Sequence, residues 1–366
     1  MPLKDFLERG KDMAYNVGVM GAAGFAGVEL VRLLVQHPDF KLVAVTSDAD
    51  AGKAIADTYP VFTGMELPLF TGHDDPALFD CDLVFLAVPH TVALKYAPLL
   101  MNAGVTVIDL SADYRLKDPA VYEQWYNTPH TSTDILAEAA FGLPELTGDE
   151  LAEAAAKFAA GKPALVACAG CYPTATSLAA YPAIKAGLSA GLVVADAISG
   201  VTGAGKKATA RTHYCFADEN VEAYGIASHR HTPEIEQILG IQGQGRLVFT
   251  PHLAPLKRGI LSTVTFSVPE GVGISAAALQ ELYEGFYANS PLVTVLPAGT
   301  SPKTSSVTGT VKAQVSATLA ANGRAIVCLG AIDNLCKGAA GQAVQCANIV
   351  CGFDQAHGLP AVALPV

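Results

Sequence analysis

The stretch NVGVMGAAGFAG, from Asn16 to Gly27, decides the fold of this chain. It is a short apolar run followed by glycines spaced three residues apart, and from Val28 to Leu34 apolar residues recur at helical spacing. This order predicts a strand, a glycine turn and a helix. Glycines let the backbone approach a pyrophosphate closely, and the helix start presents N–H groups to it. Because Lys41 to Thr46 predicts the next strand of a βαβ unit, we interpret the turn as dinucleotide-binding.

Further buried strands are predicted from Asp82 to Val88 and from Val105 to Leu110. In an open parallel sheet the carboxyl ends of the strands line the ligand crevice, which places Ala87 and Pro89 beside the cofactor. The first half of the chain therefore reads as a Rossmann-type α/β domain.

The residues that follow the second strand leave the choice of cofactor open. Asp48 favours NAD, because an acidic residue at this point usually holds the adenine ribose. Thr46, Ser47 and Lys53 form an alternative, a pocket for the extra phosphate of NADP.

A cysteine follows a predicted strand, Ala164 to Cys168, and a turn at Ala169 and Gly170. Pro173 suits the first turn of the helix that comes next, and Cys171 is expected just outside that turn. The helix dipole favours a thiolate there, which makes Cys171 a candidate nucleophile. The alternatives are an apolar filler or a Cys-x-x-Cys redox pair with Cys168, whereas a zinc site lacks a second cysteine pair at similar spacing.

The second half alternates predicted strands with helices and reads as an α+β domain with a mixed sheet. Its glycine-rich loop, Ser199 to Lys207, suits an anion, either a leaving phosphate or the cofactor. His229 and His231 precede a helix that His231 or Thr232 caps, so an imidazole is available for proton transfer, unless both are surface residues. A last helix returns to the first domain after Asp333 and Asn334, which can cap it and reach the nicotinamide amide.

Composition excludes several classes of protein. The 366 residues are 51% hydrophobic and 16% charged, which excludes intrinsic disorder and allows two domains. A net charge of −11 without a basic run argues against nucleic acid or an anionic membrane as the partner. No apolar run is long enough to span a bilayer, and the eight cysteines are dispersed, so a cytoplasmic protein with reduced thiols is expected.

In combination the motifs resemble the N-acetyl-gamma-glutamyl-phosphate reductases, within the aspartate-semialdehyde and glyceraldehyde-phosphate dehydrogenase group. The resemblance covers nearly the whole chain. Its motifs are Gly21-x-x-Gly24-x-x-Gly27, Leu86-Ala-Val-Pro-His90, Asp109-Leu-Ser-Ala-Asp-Tyr-Arg-Leu116, Phe141-Gly-Leu-Pro-Glu145, Gly170-Cys-Tyr-Pro-Thr174, Ser199-Gly-x-x-Gly-Ala-Gly205, His229-Arg-His-x-Pro-Glu234 and Asp333-Asn-Leu-x-Lys-Gly338. Many relatives carry an arginine where this chain has Asp48.

The resemblance implies reduction of N-acetyl-L-glutamyl 5-phosphate by NADPH, through a thioester on Cys171, in arginine biosynthesis. His231, or failing that His229, acts as the acid and base, and no metal is expected. The candidates for binding the carboxylate or phosphate of the substrate are Arg115, Lys206 and Arg211. A longer aminoadipyl phosphate, the substrate of a related lysine-biosynthesis enzyme, is an alternative, as is a sensor without turnover.

The resemblance also sets the expected organisation of the chain. Residues 1–170 and 334–366 form the dinucleotide-binding domain, and residues 171–333 form the catalytic and oligomerisation domain of a homodimer or homotetramer. The expected NADP(H) ligands are Gly21, Ala23, Gly24, Phe25, Ala26, Gly27, Thr46, Ser47, Ala87, Pro89, Ser199, Gly200, Gly203 and Asn334.

Overall fold

The structure, a computed structural model, describes residues 14–365 and contains two compact units. Within that range, unit 1 comprises residues 14–169 and 339–359, and unit 2 comprises residues 170–338 and 360–365. Compared with the boundaries expected from the sequence, Gly170 and the ranges 334–338 and 360–365 group with unit 2.

Unit 1 is built on a parallel sheet with strand order β3-β2-β1-β4-β5-β7-β6. Every residue of β4, β5 and β7 is buried, as expected for parallel strands that helices cover on both faces. The Rossmann-type prediction is confirmed. The strands are β1 (Tyr15–Met20), β2 (Phe40–Thr46), β3 (Phe70–Thr71), β4 (Leu83–Leu86), β5 (Thr106–Asp109), β6 (Ala140–Gly142) and β7 (Leu165–Cys168).

The first helix of unit 1 follows the glycine turn and buries an apolar face that includes Leu30 and Leu34. The last helix returns to this unit, as predicted, and packs on the first and sixth. The helices are α1 (Phe25–Leu34), α2 (Ile55–Thr58), α3 (Ala93–Asn102), α4 (Pro119–Tyr126), α5 (Thr133–Glu138) and α6 (Gly148–Ala159), with the last helix from Gly341 to Val350.

Unit 2 contains a mixed sheet with strand order β12-β13-β14-β11-β8-β10-β9. The β8–β10 and β12–β13 pairs are parallel and the remaining pairs are antiparallel. This confirms the predicted α+β domain with a mixed sheet. The strands are β8 (Ala190–Gly200), β9 (Glu222–Ala223), β10 (Leu247–Ala254), β11 (Ile260–Ser267), β12 (Val293–Val295), β13 (Ala313–Ala320) and β14 (Ala325–Ile332).

One helix, α7 (Cys171–Lys185), packs on β11 and β14 of this sheet. The approach is close, because a Cβ built on Gly330 in β14 would lie 2.5 Å from the carbonyl oxygen of Ala175. The other helices of unit 2 are α8 (Tyr214–Ala217), α9 (Thr232–Leu239) and α10 (Ala276–Phe286), which makes the last helix of unit 1 α11. A single π turn, Cys336–Ala340, precedes α11.

Along β8 buried and more exposed side chains alternate. Leu192 and Ile198 are exposed on one face of the sheet, whereas Val193, Ala195 and Ala197 are buried on the other. On β10, Val248 pairs with Val194 and is also exposed. The sheet of unit 2 therefore has one face packed on helices and an opposite face with apolar residues at its surface.

Candidate active site

The glycine turn of unit 1 has the tight backbone that a dinucleotide requires. Gly21 adopts φ +84°, and a Cβ on it would lie 2.4 Å from the carbonyl oxygen of Ala87. A Cβ on Gly27 would lie 2.2 Å from the carbonyl oxygen of Gly21. Both positions therefore exclude any side chain, and the backbone at the start of α1 is open to a ligand.

The first turn of α1 fits a pyrophosphate. Its N-cap is Gly24, which has no side chain to cap the helix, and Ala23, Phe25 and Ala26 flank it. The N–H groups of a first helical turn have no acceptor inside the helix, and they attract an anion. This end of unit 1 thus fits the phosphates of the expected dinucleotide.

The end of β2 is fastened to the glycine turn. The carbonyl oxygen of Thr46 accepts hydrogen bonds from the amides of Gly21 and Ala22, at 3.0 and 2.9 Å. Ser47 donates its hydroxyl to Asp50, which also binds Lys53 at 3.0 Å. The lysine suggested for a phosphate pocket is therefore engaged by a neighbouring carboxylate.

Cys171 is the first residue of α7, and Gly170 is the N-cap. The expectation that Cys171 lies just outside the first turn is wrong, because Gly170 is the extended N-cap residue and the helix begins one residue later. The thiol is half-buried. A Cβ on Gly338 would lie 2.8 Å from the Cβ of Cys171, so the backbone before α11 passes directly beside the cysteine.

Glu234 links the histidine motif to the cysteine helix. Its carboxylate accepts the amide N–H of Gly170 at 2.7 Å, and its side chain is 1% exposed. Glu234 lies in the first turn of α9, whose N-cap is His231, as one of the two predicted caps. The starts of α7 and α9 are thereby joined, which brings Cys171 and His231 to the same region of unit 2.

His229 is held in a cluster of aromatic rings. Its ring centroid lies 5.5 Å from those of Tyr172, Tyr224 and Phe249, and 5.0 Å from that of His231. Its Nδ1 accepts the backbone N–H of His231 at 3.2 Å. Burial, followed by the positive charge of the adjacent arginine, lowers the pKa of His229 to about 4. His229 is therefore neutral at physiological pH.

Two tyrosines connect this cluster to Arg211. The hydroxyls of Tyr172 and Tyr224 are 3.0 Å apart, and the guanidinium of Arg211 lies 5.3 Å from the ring centroid of Tyr224. Arg211 also forms a two-point ion pair with Glu222, at 3.1 and 3.0 Å. Burial raises the pKa of Tyr224 to about 12, with the charge of Cys171 adding to the rise. The phenol thus lies near the thiol and stays protonated.

Asn334 fastens the glycine-rich loop that follows β8. Its amide oxygen accepts the N–H of Gly259 at 2.8 Å, and its amide nitrogen donates to Thr202 at 3.0 Å. A Cβ on Gly203 would lie 3.0 Å from the hydroxyl of Ser199, and one on Gly200 would lie 2.8 Å from a neighbouring backbone oxygen. Lys206 lies in the exposed part of this loop.

Asp333 caps the π turn before α11, as the sequence predicts. It accepts the N–H groups of Leu335 and Cys336 at 2.8 and 2.9 Å, and it pairs with Arg258.

Two family descriptions match the chain, semialdehyde dehydrogenase, NAD binding domain, over residues 16–154 and semialdehyde dehydrogenase, dimerisation domain, over residues 171–334. The N-acetyl-gamma-glutamyl-phosphate reductase of Neisseria meningitidis serogroup C is 44% identical over 355 residues, which cover 95% of this chain and 98% of the relative. The protein of that name from Pseudomonas putida is 43% identical over 349 residues, covering 94% and 97%. The chain belongs to the N-acetyl-gamma-glutamyl-phosphate reductase family.

This chain shares its fold with solved aspartate semialdehyde dehydrogenases. The Vibrio cholerae aspartate semialdehyde dehydrogenase II, complexed with ASA, superimposes with a TM-score of 0.67 at 16% identity, over 93% of this chain and 98% of that one. The Candida albicans aspartate semialdehyde dehydrogenase with NADP superimposes with a TM-score of 0.67 at 15% identity, over 92% of this chain and 98% of that one. At such low identity the likeness is one of fold.

In this member of the reductase family Arg115 lies in unit 1 and is buried. Its guanidinium donates to the carbonyl oxygen of Leu110 at 2.7 Å. Nearby, Asp109 accepts both the N–H and the hydroxyl of Ser111 at 2.8 Å, and Asp113 accepts the N–H of Thr91 at 2.8 Å. Thr91 has φ +76°, so Asp113 holds a strained residue two positions after Pro89, in the loop that follows β4.

Asp109 is expected to make the stability of the protein depend on pH. Burial, and then the charge of Asp113, raise the pKa of Asp109 from 3.8 to about 7. Between these values the folded protein binds a proton that the unfolded chain releases, so the free energy of unfolding falls as pH rises from about 4 to about 7. Asp109→Asn should remove this contribution.

The measurement is urea unfolding at about pH 5 and about pH 8, the two sides of the raised pKa. The loss of stability between them should be smaller in Asp109→Asn than in the wild type. Asp134→Asn, which removes an exposed carboxylate at the start of α5, is the control and should behave as the wild type. Equal losses in all three proteins would contradict the assignment.

In this reductase-family chain, the surroundings of Cys168 argue against a redox pair of Cys168 with Cys171. Cys168 is fully buried at the end of β7, and contact with Cys346, followed by burial, raises its pKa. Such a thiol is inert as a nucleophile.

Residues 14–365 contain no group of three or more His, Cys, Asp or Glu side chains arranged to hold a metal ion. Over the same range each helix is too short or too polar to cross a membrane.

The site of this family member includes residues that the sequence analysis missed. The His229–Glu234 motif contains Glu234 without indicating a role for it, although an acidic residue in the first turn of a helix is a recognisable signal. Tyr224 and Glu222 gave no signal, because they reach the site through the short strand β9 at the edge of the sheet.

Proposed function

We propose that this protein is an NADPH-dependent acyl-phosphate reductase that converts N-acetyl-L-glutamyl 5-phosphate to N-acetyl-L-glutamate 5-semialdehyde and phosphate, a step of arginine biosynthesis. The position of Cys171 at the first residue of α7, joined through Gly170 and Glu234 to the helix capped by His231, carries the proposal. A thiol in that position suits attack on an acyl phosphate.

Residues of unit 1 hold the dinucleotide in this proposal. The tight glycine turn and the first turn of α1 bind its phosphates, with Ala87 and Pro89 after β4 beside it. When bound, NADPH supplies the hydride. In unit 2, Asn334 acts by fastening the loop of Ser199, Gly200 and Gly203 through its bonds to Thr202 and Gly259.

Cys171 acts as the nucleophile. Its thiolate attacks the acyl carbon, a C–S bond forms, and the C–O bond to phosphate breaks, so that inorganic phosphate leaves and a thioester remains. The N–H groups at the start of α7 stabilise first the thiolate and then the developing oxyanion. A thioester accepts hydride more readily than a carboxylate does.

His231 moves the proton. After reduction of the thioester carbon, the oxygen of the thiohemiacetal gains a proton from the His231 imidazole, and its later loss expels the Cys171 thiolate and releases the aldehyde. We assign this role to His231 because His229 commits Nδ1 to the backbone and has its pKa lowered to about 4. His229 holds the ring cluster in place.

Three basic residues are proposed for the anionic groups of the substrate. The guanidinium of Arg211 lies over the Tyr224 ring, and its ion pair with Glu222 orients it. Lys206 belongs to the exposed loop after β8, and Arg115 is the buried arginine of unit 1. Arg211 is best placed in unit 2 for a carboxylate, because a guanidinium binds it at two points.

The proposal is tested by the reverse reaction. N-acetylglutamate 5-semialdehyde, NADP and inorganic phosphate should give NADPH, followed by absorbance, and the same mixture without phosphate should give none. Formation of NADPH without phosphate would contradict acyl-phosphate chemistry. No product with NADP or NAD would contradict the glutamyl substrate, and the aminoadipyl semialdehyde would be tried next.

We also propose that unit 2 forms a homodimer or homotetramer through the exposed face of its sheet, in the cytoplasm. The apolar residues Leu192, Ile198 and Val248 on that face support this, as does the family description of a dimerisation domain. We place nucleotide binding in unit 1 and catalysis with assembly in unit 2, which match the expected domains 1–170 with 334–366 and 171–333 apart from Gly170, 334–338 and 360–365.

A charged pair of substitutions on this face should dissociate the oligomer. Leu192→Glu with Val248→Glu is expected to weaken self-association by at least about 100-fold, because buried carboxylates without partners are costly. Sedimentation equilibrium measures the effect. Val272→Glu, at a turn residue with the same 43% exposure as Val248, is the control and should assemble normally. An unchanged mass for the double variant would place the interface elsewhere.

A further inference from the structure

The carboxylate of Asp48, just after β2, and the imidazole of His73, just after β3, lie together next to the end of β2. The backbone oxygen of Thr46 binds the amides of Gly21 and Ala22, so this strand end and the turn keep a constant geometry. In dinucleotide-binding folds the residues just after this strand meet the adenine ribose, where NAD has a hydroxyl and NADP a phosphate. We therefore expect Asp48 and His73 to influence whether NAD or NADP is bound.

Asp48 and His73 are held by several bonds. One oxygen of Asp48 accepts the backbone N–H of His73 at 2.8 Å, and the other lies 3.9 Å from Nε2 of its ring. Nδ1 of His73 is 2.6 Å from the hydroxyl of Thr46. The Asp48 side chain remains 68% exposed, so it is oriented by these contacts and still open to a ligand.

The lysines of this region are bound to other carboxylates. Lys53 pairs with Asp50 at 3.0 Å, and Lys95, whose charge interacts with that of Asp48, lies 3.8 Å from Asp74. A phosphate placed here would thus meet one acidic side chain next to one imidazole, without a guanidinium to bind it at two points.

We propose that Asp48 and His73 form an opposed pair that sets nucleotide specificity, and that this protein binds NAD(H) in addition to NADP(H). Asp48 accepts hydrogen bonds from the ribose hydroxyls of NAD(H) and repels the 2′-phosphate of NADP(H). The His73 ring offers the 2′-phosphate an N–H donor and so offsets part of that repulsion. The proposal rests on the proposed function only in placing the dinucleotide in unit 1.

The pair is tested by calorimetric binding of two fragments, 5′-AMP and 2′,5′-ADP, which differ only in the 2′-phosphate and need no turnover. Asp48→Asn should bind 2′,5′-ADP about tenfold more tightly, because a like charge is removed, and 5′-AMP no more tightly. His73→Gln should shift 2′,5′-ADP in the opposite direction, by about threefold, since a neutral amide is a weaker partner for phosphate.

Asp134→Asn, in the first turn of α5, the helix that precedes the opposite edge strand β6, is the charge-matched control and should leave both affinities unchanged. Wild-type protein should bind intact NAD and NADP with affinities within about tenfold of each other, since His73 offsets part of the repulsion by Asp48. A wild-type preference for NADP above about 100-fold, or fragment affinities that do not respond to Asp48→Asn, would overturn the proposal. Loss of acyl-phosphate turnover with intact fragment binding would instead contradict the proposed function alone.

Discussion

Cys171→Ser is expected to lower kcat/KM for the acyl-phosphate reaction by at least about 10⁴-fold, the scale seen when a nucleophile is removed from a covalent mechanism. The serine hydroxyl is close in size to the thiol, so α7 and the contact of Gly338 with residue 171 should persist. The hydroxyl is, however, a far weaker nucleophile than a thiolate at neutral pH. The measurement is the initial rate of NADPH formation in the phosphate-dependent reverse reaction.

Two other cysteines are the controls for this substitution. Cys215→Ser changes an exposed thiol in the same unit and should leave kcat/KM unchanged. Cys168→Ala removes a buried thiol that contacts Cys346, so it should lower the unfolding temperature while the folded enzyme stays active. Turnover by Cys171→Ser would contradict the thioester mechanism, and a Cys168→Ala enzyme as inactive as Cys171→Ser would favour a dithiol reaction.

The organisation of unit 1 near the glycine turn could be predicted from the sequence because its causes are local. Gly21 and Gly27 stand where a Cβ would collide with the backbone, so the residues themselves reveal the turn. In the same way, Asp333 caps the π turn through the N–H groups of Leu335 and Cys336, two and three residues further along the chain. Short-range hydrogen bonds of this kind leave a readable signal in residue order.

Contacts between distant residues could not be predicted in this way. Glu234 binds the amide of Gly170 across 64 positions, and no periodicity in either segment reports that pairing. Likewise β6, which precedes β7 in the chain, is at the edge of the parallel sheet, while β7 lies between β5 and β6. The start of α7 at Cys171 itself depended on the extended conformation of Gly170, which a turn prediction could not assign to one residue.

His231 and His229 are neighbours in one motif, but different effects are expected when each is replaced. His231→Gln is expected to lower kcat by about 10²–10⁴-fold, because general acid–base catalysis contributes on that scale. KM should change little, since the imidazole acts on the proton of the thiohemiacetal rather than on substrate binding. The part of the pH dependence of kcat that comes from this imidazole should also be lost.

His229→Gln is the matched variant for that experiment, because the two residues are neighbours in one motif but differ in what they contact. His229 lies among Tyr172, Tyr224 and Phe249 and is neutral above its pKa of about 4, so its loss should lower the unfolding temperature and leave the shape of the pH profile of kcat unchanged. If His229→Gln instead lost the pH dependence and His231→Gln kept it, the roles would be reversed. The proton would then have to pass through the His229 ring, whose Nδ1 accepts the His231 amide N–H.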